Sequence, residues 1–144
     1  MALSESQTLA SFPIDLHNHD NIAYTGPLWF GTPLQGASDT KYMYDTGSPK
    51  IVTSSADCLT GCPYRLYKPS LSSTYEYVSA ADPIHYGKGE VNGFIGRDTV
   101  CLSDGSDQCA PAFDFYIVTS AGEGIFTAAE DINGILGMSP YMTA

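Results

Sequence analysis

Positive charge is scarce in this chain. Six Lys and Arg stand against 16 Asp and Glu, a net charge of −10 over 144 residues. Phosphate backbones are held by clustered Lys and Arg, so nucleic acid is excluded as a partner. Anionic membrane surfaces are disfavoured for the same reason. The sequence has no apolar run of about 18 residues, the length that a membrane-spanning helix needs. It also lacks sustained 3.6-residue periodicity, which argues against a helical bundle. The first residues, MALSESQTLASFPI, have neither a basic start nor an apolar stretch and do not read as a signal peptide. The acidic balance suits an acidic compartment, where a carboxylate-rich surface repels itself less. Plain solubility is the competing explanation.

Cysteine is sparse and its spacing is informative. The four residues fall in two local groups, Cys58/Cys62 and Cys101/Cys109. Neither group has a Cys-x-x-Cys spacing and no His lies near in sequence, so zinc is disfavoured. Three pairings are open to four cysteines. The nearest-neighbour pairing is the expected one, Cys58–Cys62 and Cys101–Cys109, because each bridge would close over a turn-rich segment, CLTGC or CLSDGSDQC. Disulfides imply an oxidising, secreted or lumenal setting. With the cysteines so used, no Cys-His or Ser-His-Asp arrangement can be built. TPLQG and GEGIF lack the Lys-Ser/Thr of a phosphate loop.

Turn formers, by contrast, are plentiful. Fourteen Gly and nine Pro punctuate short β-branched and aromatic stretches, the pattern of an all-β chain with little helix. Residues 1–11 are polar and expected to be flexible, and 12–144 to form one domain. Strands are expected at Phe12–Leu16, Gly26–Phe30, Lys41–Asp45, Ile51–Ser54, Pro83–Tyr86, Glu90–Leu102 and Ala112–Thr119. YGKG reads as a hairpin tip. KPSLSSTYEY is a loop with room for one helical turn, and GEGIFTAAEDI has room for a second.

Two places carry chemistry. In LHNHD, His17 and His19 share one strand face, a spacing open to a metal with Asp20 as a third ligand. The plainer reading is a solvated strand end, and no metal or cofactor is expected. The second place is YMYDTGS. Asp45 follows an aromatic strand, and Thr46 and Gly47 permit a tight turn after it. Such a loop presents a carboxylate to backbone N–H groups and to the Thr46 and Ser48 hydroxyls. An Asx-turn at a hairpin would use the same letters.

The wider pattern separates these readings. FGTPLQ (Phe30–Gln35), DTGS (Asp45–Ser48), KPSLSSTY (Lys68–Tyr75) with IHYGKGEVNGFIGRDTV (Ile84–Val100), and INGILGM (Ile132–Met138) occur in order. Together they resemble the N-terminal lobe of the pepsin-like aspartic proteases. The resemblance implies an all-β lobe of that bilobal β-barrel fold and hydrolysis of peptide bonds. It implies that Asp45 is one of two catalytic aspartates, that Thr46 bonds to the opposing lobe, and that Gly47 and Ser48 support the loop. Tyr86, Gly87, Lys88 and Gly89 would form the flap over a peptide or protein substrate. Gly134, Ile135, Leu136 and Gly137 would pack beneath the catalytic loop. Secretion or a lysosomal or vacuolar lumen would be the setting.

The chain departs from that pattern at four positions. Val52 stands where the family has a Trp that partners the flap Tyr, and the only Trp is Trp29. Pro49 removes a backbone donor. Lys88 puts a cation at the flap tip, and Asn133 replaces an Asp. A larger departure is that no second Asp-Thr/Ser-Gly follows Asp45. The partner carboxylate is expected from a C-terminal lobe outside this polypeptide, which makes the chain a truncated lobe, inactive alone. Two alternatives remain open: a half-enzyme active as a homodimer, and a catalytically silent pepsin-like binding or inhibitor protein.

Overall fold

The computed structural model describes residues 11, 13–127 and 130–140. Among these, ten strands form one sheet: β1 (His17–His19), β2 (Ala23–Gly26), β3 (Trp29–Phe30), β4 (Tyr42–Asp45), β5 (Ile51–Ser54), β6 (Glu76–Ala80), β7 (Ile84–Tyr86), β8 (Gly89–Cys101), β9 (Cys109–Ala121) and β10 (Gly134–Gly137). The order is β1-β2-β4-β10-β5-β9-β8-β3, with β6 and β7 also pairing with β8. Among the described residues, helix is confined to 3₁₀ turns at Pro69–Leu71 and Ser106–Gln108. The all-β expectation holds.

β8 and β9 are the frame. Each has 13 residues, and they pair antiparallel from Val91↔Ala121 to Cys101↔Cys109. The Cys101–Cys109 disulfide closes one end of this hairpin, and Cys58–Cys62 closes the small loop after β5. Long apolar stretches such as Phe115, Tyr116, Ile117 and Val118 are buried because both sheet faces are covered. Two apolar clusters result. One gathers Val52, Val91, Tyr116, Val118, Phe126 and Ile135 among others, with Tyr86 packed against it. The other is aromatic, built on Phe30, Tyr42, Tyr67 and Phe115, with Leu28 and Ile117. Phe30 sits 4.9 Å from Phe115 and 5.3 Å from Tyr67 between tilted rings. Each such fully buried apolar side chain contributes about 1.5–3 kcal/mol.

A buried carboxylate locks the aromatic cluster to its surroundings. Asp98 on β8 accepts from the Tyr67 hydroxyl at 2.8 Å, from Thr74 Oγ1 at 2.6 Å and from Thr99 N at 2.8 Å. Thr74 Oγ1 also reaches Thr32 Oγ1, and Thr32 N donates to Ser72 Oγ. One buried acid thus fastens the 69–75 loop and the turn after β3 to the frame, satisfying groups that would be costly to bury unpaired.

Several strand limits differ from the sequence expectation, for local reasons. Phe12 lies outside the described residues, and Pro13–Leu16 form no strand; pairing begins at His17, where Asp20 and Asn21 adopt positive φ of 53° and 58° and turn the chain into β2. Gly26–Phe30 is two strands with different partners, β4 and β8, because Pro27 cannot donate to a ladder. β6 lies outside the expected strands because it is largely exposed, with only Val78 partly buried, so it shows no apolar alternation. The 3₁₀ turn in KPSLSSTYEY is present. In GEGIFTAAEDI, Glu123–Thr127 form turns, and residues 128–129 lie outside the described residues, as does the expected flexibility of 1–10.

Candidate active site

β4 leads Tyr42, Met43 and Tyr44 up to Asp45. β10 runs between β4 and β5, parallel to the first and antiparallel to the second, with Gly137 opposite Asp45 and Gly134 opposite both Tyr42 and Thr53. The two glycines explain how three strands come so close. A Cβ on Gly134 would collide with the carbonyl of Val52, and one on Gly137 with the backbone of Lys50. Ile135 between them is buried in the first cluster, and Leu136 packs against the second. The cradle is therefore tied to both cores.

The loop above it is fixed by hydrogen bonds. Gly47 N donates to Asp45 Oδ1 at 2.9 Å, and Ser48 Oγ to Asp45 Oδ2 at 2.6 Å. Each carboxylate oxygen thus has its own donor, an arrangement that fixes orientation. Beyond β10, Met138 N donates to Asp45 O at 2.7 Å and Ser139 N to Ser48 O at 3.1 Å. Met138 and Ser139, next in the unbroken run INGILGMSP, thus hold the loop from beyond the expected Gly134–Gly137. Asp45 and Ser48 are half-buried, while Thr46, Gly47 and Pro49 are exposed. Thr46 thus lies on the open side of the loop.

A hairpin comes near this loop. Ile84–Tyr86 pair with Gly89–Val91, and Gly87 and Lys88 make the tip. Gly89 has φ 138°, a conformation that a side chain resists. Tyr86 is half-buried against the first cluster, and burial pushes its phenol up to about 12, with the charge of Asp45 adding to the rise. Tyr86 thus lies within electrostatic reach of Asp45. Gly87, Lys88 and Gly89 are exposed.

The departures have structural consequences. Val52 is fully buried in the cluster that receives Tyr86, so this Tyr rests on an apolar surface where relatives of the pattern have an indole. Asn133 is buried and bridges strands: its Oδ1 accepts from Lys41 N at 2.8 Å and its carbonyl from Ser54 N at 3.0 Å. An amide makes these bonds without burying a charge. His17 and His19 do share a face, but their carboxylate neighbour is Glu130 rather than Asp20. Glu130 is remote in sequence and no local pattern announces it.

Comparison with known proteins agrees with this geometry. The eukaryotic aspartyl protease family matches residues 23–144. Pepsin-2B of Gadus morhua is 32% identical over 86% of this chain and 37% of its own length. Pepsin A of Bos taurus is 32% identical over 95% of this chain and 35% of its own. Renin of Rattus norvegicus is 36% identical over 67% of this chain and 24% of its own. The chain thus spans about a third or less of the length of these curated relatives. With one Asp-Thr-Gly loop cradled by a glycine-bounded strand and a Tyr-bearing hairpin near it, the chain belongs to the eukaryotic aspartyl protease family.

Proposed function

We propose that residues 12–144 form one lobe of an aspartic endopeptidase and supply one of its two catalytic carboxylates, Asp45. The observation that carries this reading is the Asp45 carboxylate, held by Gly47 N and Ser48 Oγ within electrostatic reach of Tyr86. The partner aspartate comes from a second lobe, toward which exposed Thr46 would turn. Two adjacent carboxylates do not both ionise cheaply, so one keeps a proton while the other acts as base. The base takes a proton from a water held between them, and that water attacks the scissile carbonyl. The acid protonates the carbonyl oxygen, and collapse of the tetrahedral diol transfers a proton to the leaving amine. No covalent intermediate forms.

Gly87, Lys88 and Gly89 close over the peptide and exclude water. Lys88 adds a cation at the hairpin tip. Two disulfides and the net charge of −10 support a secreted or lysosomal or vacuolar setting. The test is cleavage of an acid-unfolded protein by the full-length natural protein and by its Asp45→Asn variant. The reading predicts hydrolysis at acidic pH and a loss of at least about 1,000-fold in the variant. A folded wild-type protein that binds a statine-type peptide but leaves substrate intact would instead identify a silent binding protein.

A further inference from the structure

His17 and His19 belong to β1, two residues apart on one face, with their rings 4.3 Å apart edge to face. Glu130, from the segment before β10, completes the group: one potential ligand atom from each of the three lies within 4.8 Å of the others. His19 Nδ1 faces Glu130 Oε2 at 2.6 Å, and His19 Nε2 faces the buried Thr25 hydroxyl at 2.9 Å. Lys41 Nζ meets the other oxygen, Glu130 Oε1, at 2.5 Å.

From this cluster we propose a second site, separate from Asp45, that binds a borderline divalent cation of the zinc class through His17, His19 and Glu130. Two imidazoles and one carboxylate are a set that zinc takes with an open fourth position for water. The nitrogen ligands disfavour calcium and magnesium, which prefer oxygen. The surroundings are arranged as such a site requires. In the His19 tautomer whose Nε2–H donates to Thr25 Oγ1, Nδ1 carries no proton and would exchange its contact with Glu130 Oε2 for the metal, while Lys41 meets the other carboxylate oxygen. The β1–β2 turn is closed by two hydrogen bonds: Asn18 Oδ1 accepts from Asn21 N at 2.8 Å, and the Asn18 amide donates to Asn21 Oδ1 at 2.8 Å.

Ligand atoms around tetrahedral zinc lie about 3.4 Å apart, so His19 and Glu130 must part slightly while His17, exposed and free to rotate, swings inward. The nearby ammonium of Lys41 opposes the cation and limits affinity. The bound ion would pin the β1–β2 hairpin to the segment that feeds β10, beneath the catalytic loop.

The experiment uses untagged, chelator-stripped full-length protein at neutral pH. Zn²⁺ is titrated in competition with a chromophoric chelator, and Co²⁺ binding is followed by its visible absorption. One Zn²⁺ per site is expected with micromolar or tighter affinity. Co²⁺ should give the intense bands of a low-coordinate nitrogen–oxygen site. His17→Ala, at an exposed position, and Glu130→Gln, which keeps the side chain's shape, should each weaken binding at least about tenfold. His85→Ala, on the far hairpin, should leave it unchanged. Absence of binding below millimolar Zn²⁺, or affinity unaltered in both His17→Ala and Glu130→Gln, would overturn the proposal and leave an ion-pair cluster.

Discussion

The Asp45 loop and the nearby hairpin are built by opposite rules. The loop is over-determined. Two glycines allow backbones to touch beneath it, two donors hold its carboxylate, and two amides beyond β10 hold its carbonyls. The hairpin is held by its own ladder, by Gly122 N on Glu90 O, and by Ile84 and Tyr86 against the apolar cluster. At its tip a Cβ on Gly87 would meet nothing within 4 Å. Under the proposed function this contrast is a division of labour: the group to be aimed is fixed, and the group that would admit substrate is held more lightly.

The largest effect should come from filling the cradle. Gly134→Val places a branched side chain against Val52 O, a backbone atom that cannot move aside. A loss of about 3 kcal/mol is expected, read as a fall in the urea midpoint. A variant of near-native stability would show the cradle is not tight. Next is Ser48→Ala, which removes the 2.6 Å donor to Asp45 Oδ2. About 1.5 kcal/mol of stability should go, with a roughly tenfold fall in kcat and little change in KM for the full-length protein.

The third prediction concerns alkaline pH. Tyr42, beneath the loop and bonded to Thr53, has its phenol pushed above the ordinary value of 10.0 by burial; Tyr86 is pushed up to about 12, again chiefly by burial. A raised folded-state value means the neutral form is favoured in the fold. That contribution is complete below about pH 10 and is lost as pH rises through the folded values. Unfolding midpoints should therefore drop above pH 10. Tyr42→Phe should flatten this slope more than Tyr86→Phe, because the fixed half is the more deeply buried. Equal slopes would erase the contrast. The smallest effect is reserved for the tip: Gly87→Ala should change stability by less than about 0.5 kcal/mol in the same urea assay.

What could be read from the sequence was local. Asp45, Gly47 and Ser48 are consecutive, so their hydrogen bonds follow from a single turn. Gly134 and Gly137 were visible because only a missing side chain allows such strand contact. The tip Gly87–Lys88 was visible because glycines bracket it. The rest depended on residues far apart. Asp98 gathers Tyr67 and Thr74, and Glu130 meets His19, through a topology that no local window contains. β6 lacked alternation because neither of its faces is core, and Pro27 divided a strand that composition alone would have joined.

Amide hydrogen exchange of the full-length protein, with and without a statine-type peptide, tests the central contrast most directly. Protection should rise at least about tenfold at Gly87, Lys88 and Gly89 on binding, and change little at Gly47, which is already held. Unchanged exchange at the tip, or new protection confined to the Asp45 loop, would contradict the account.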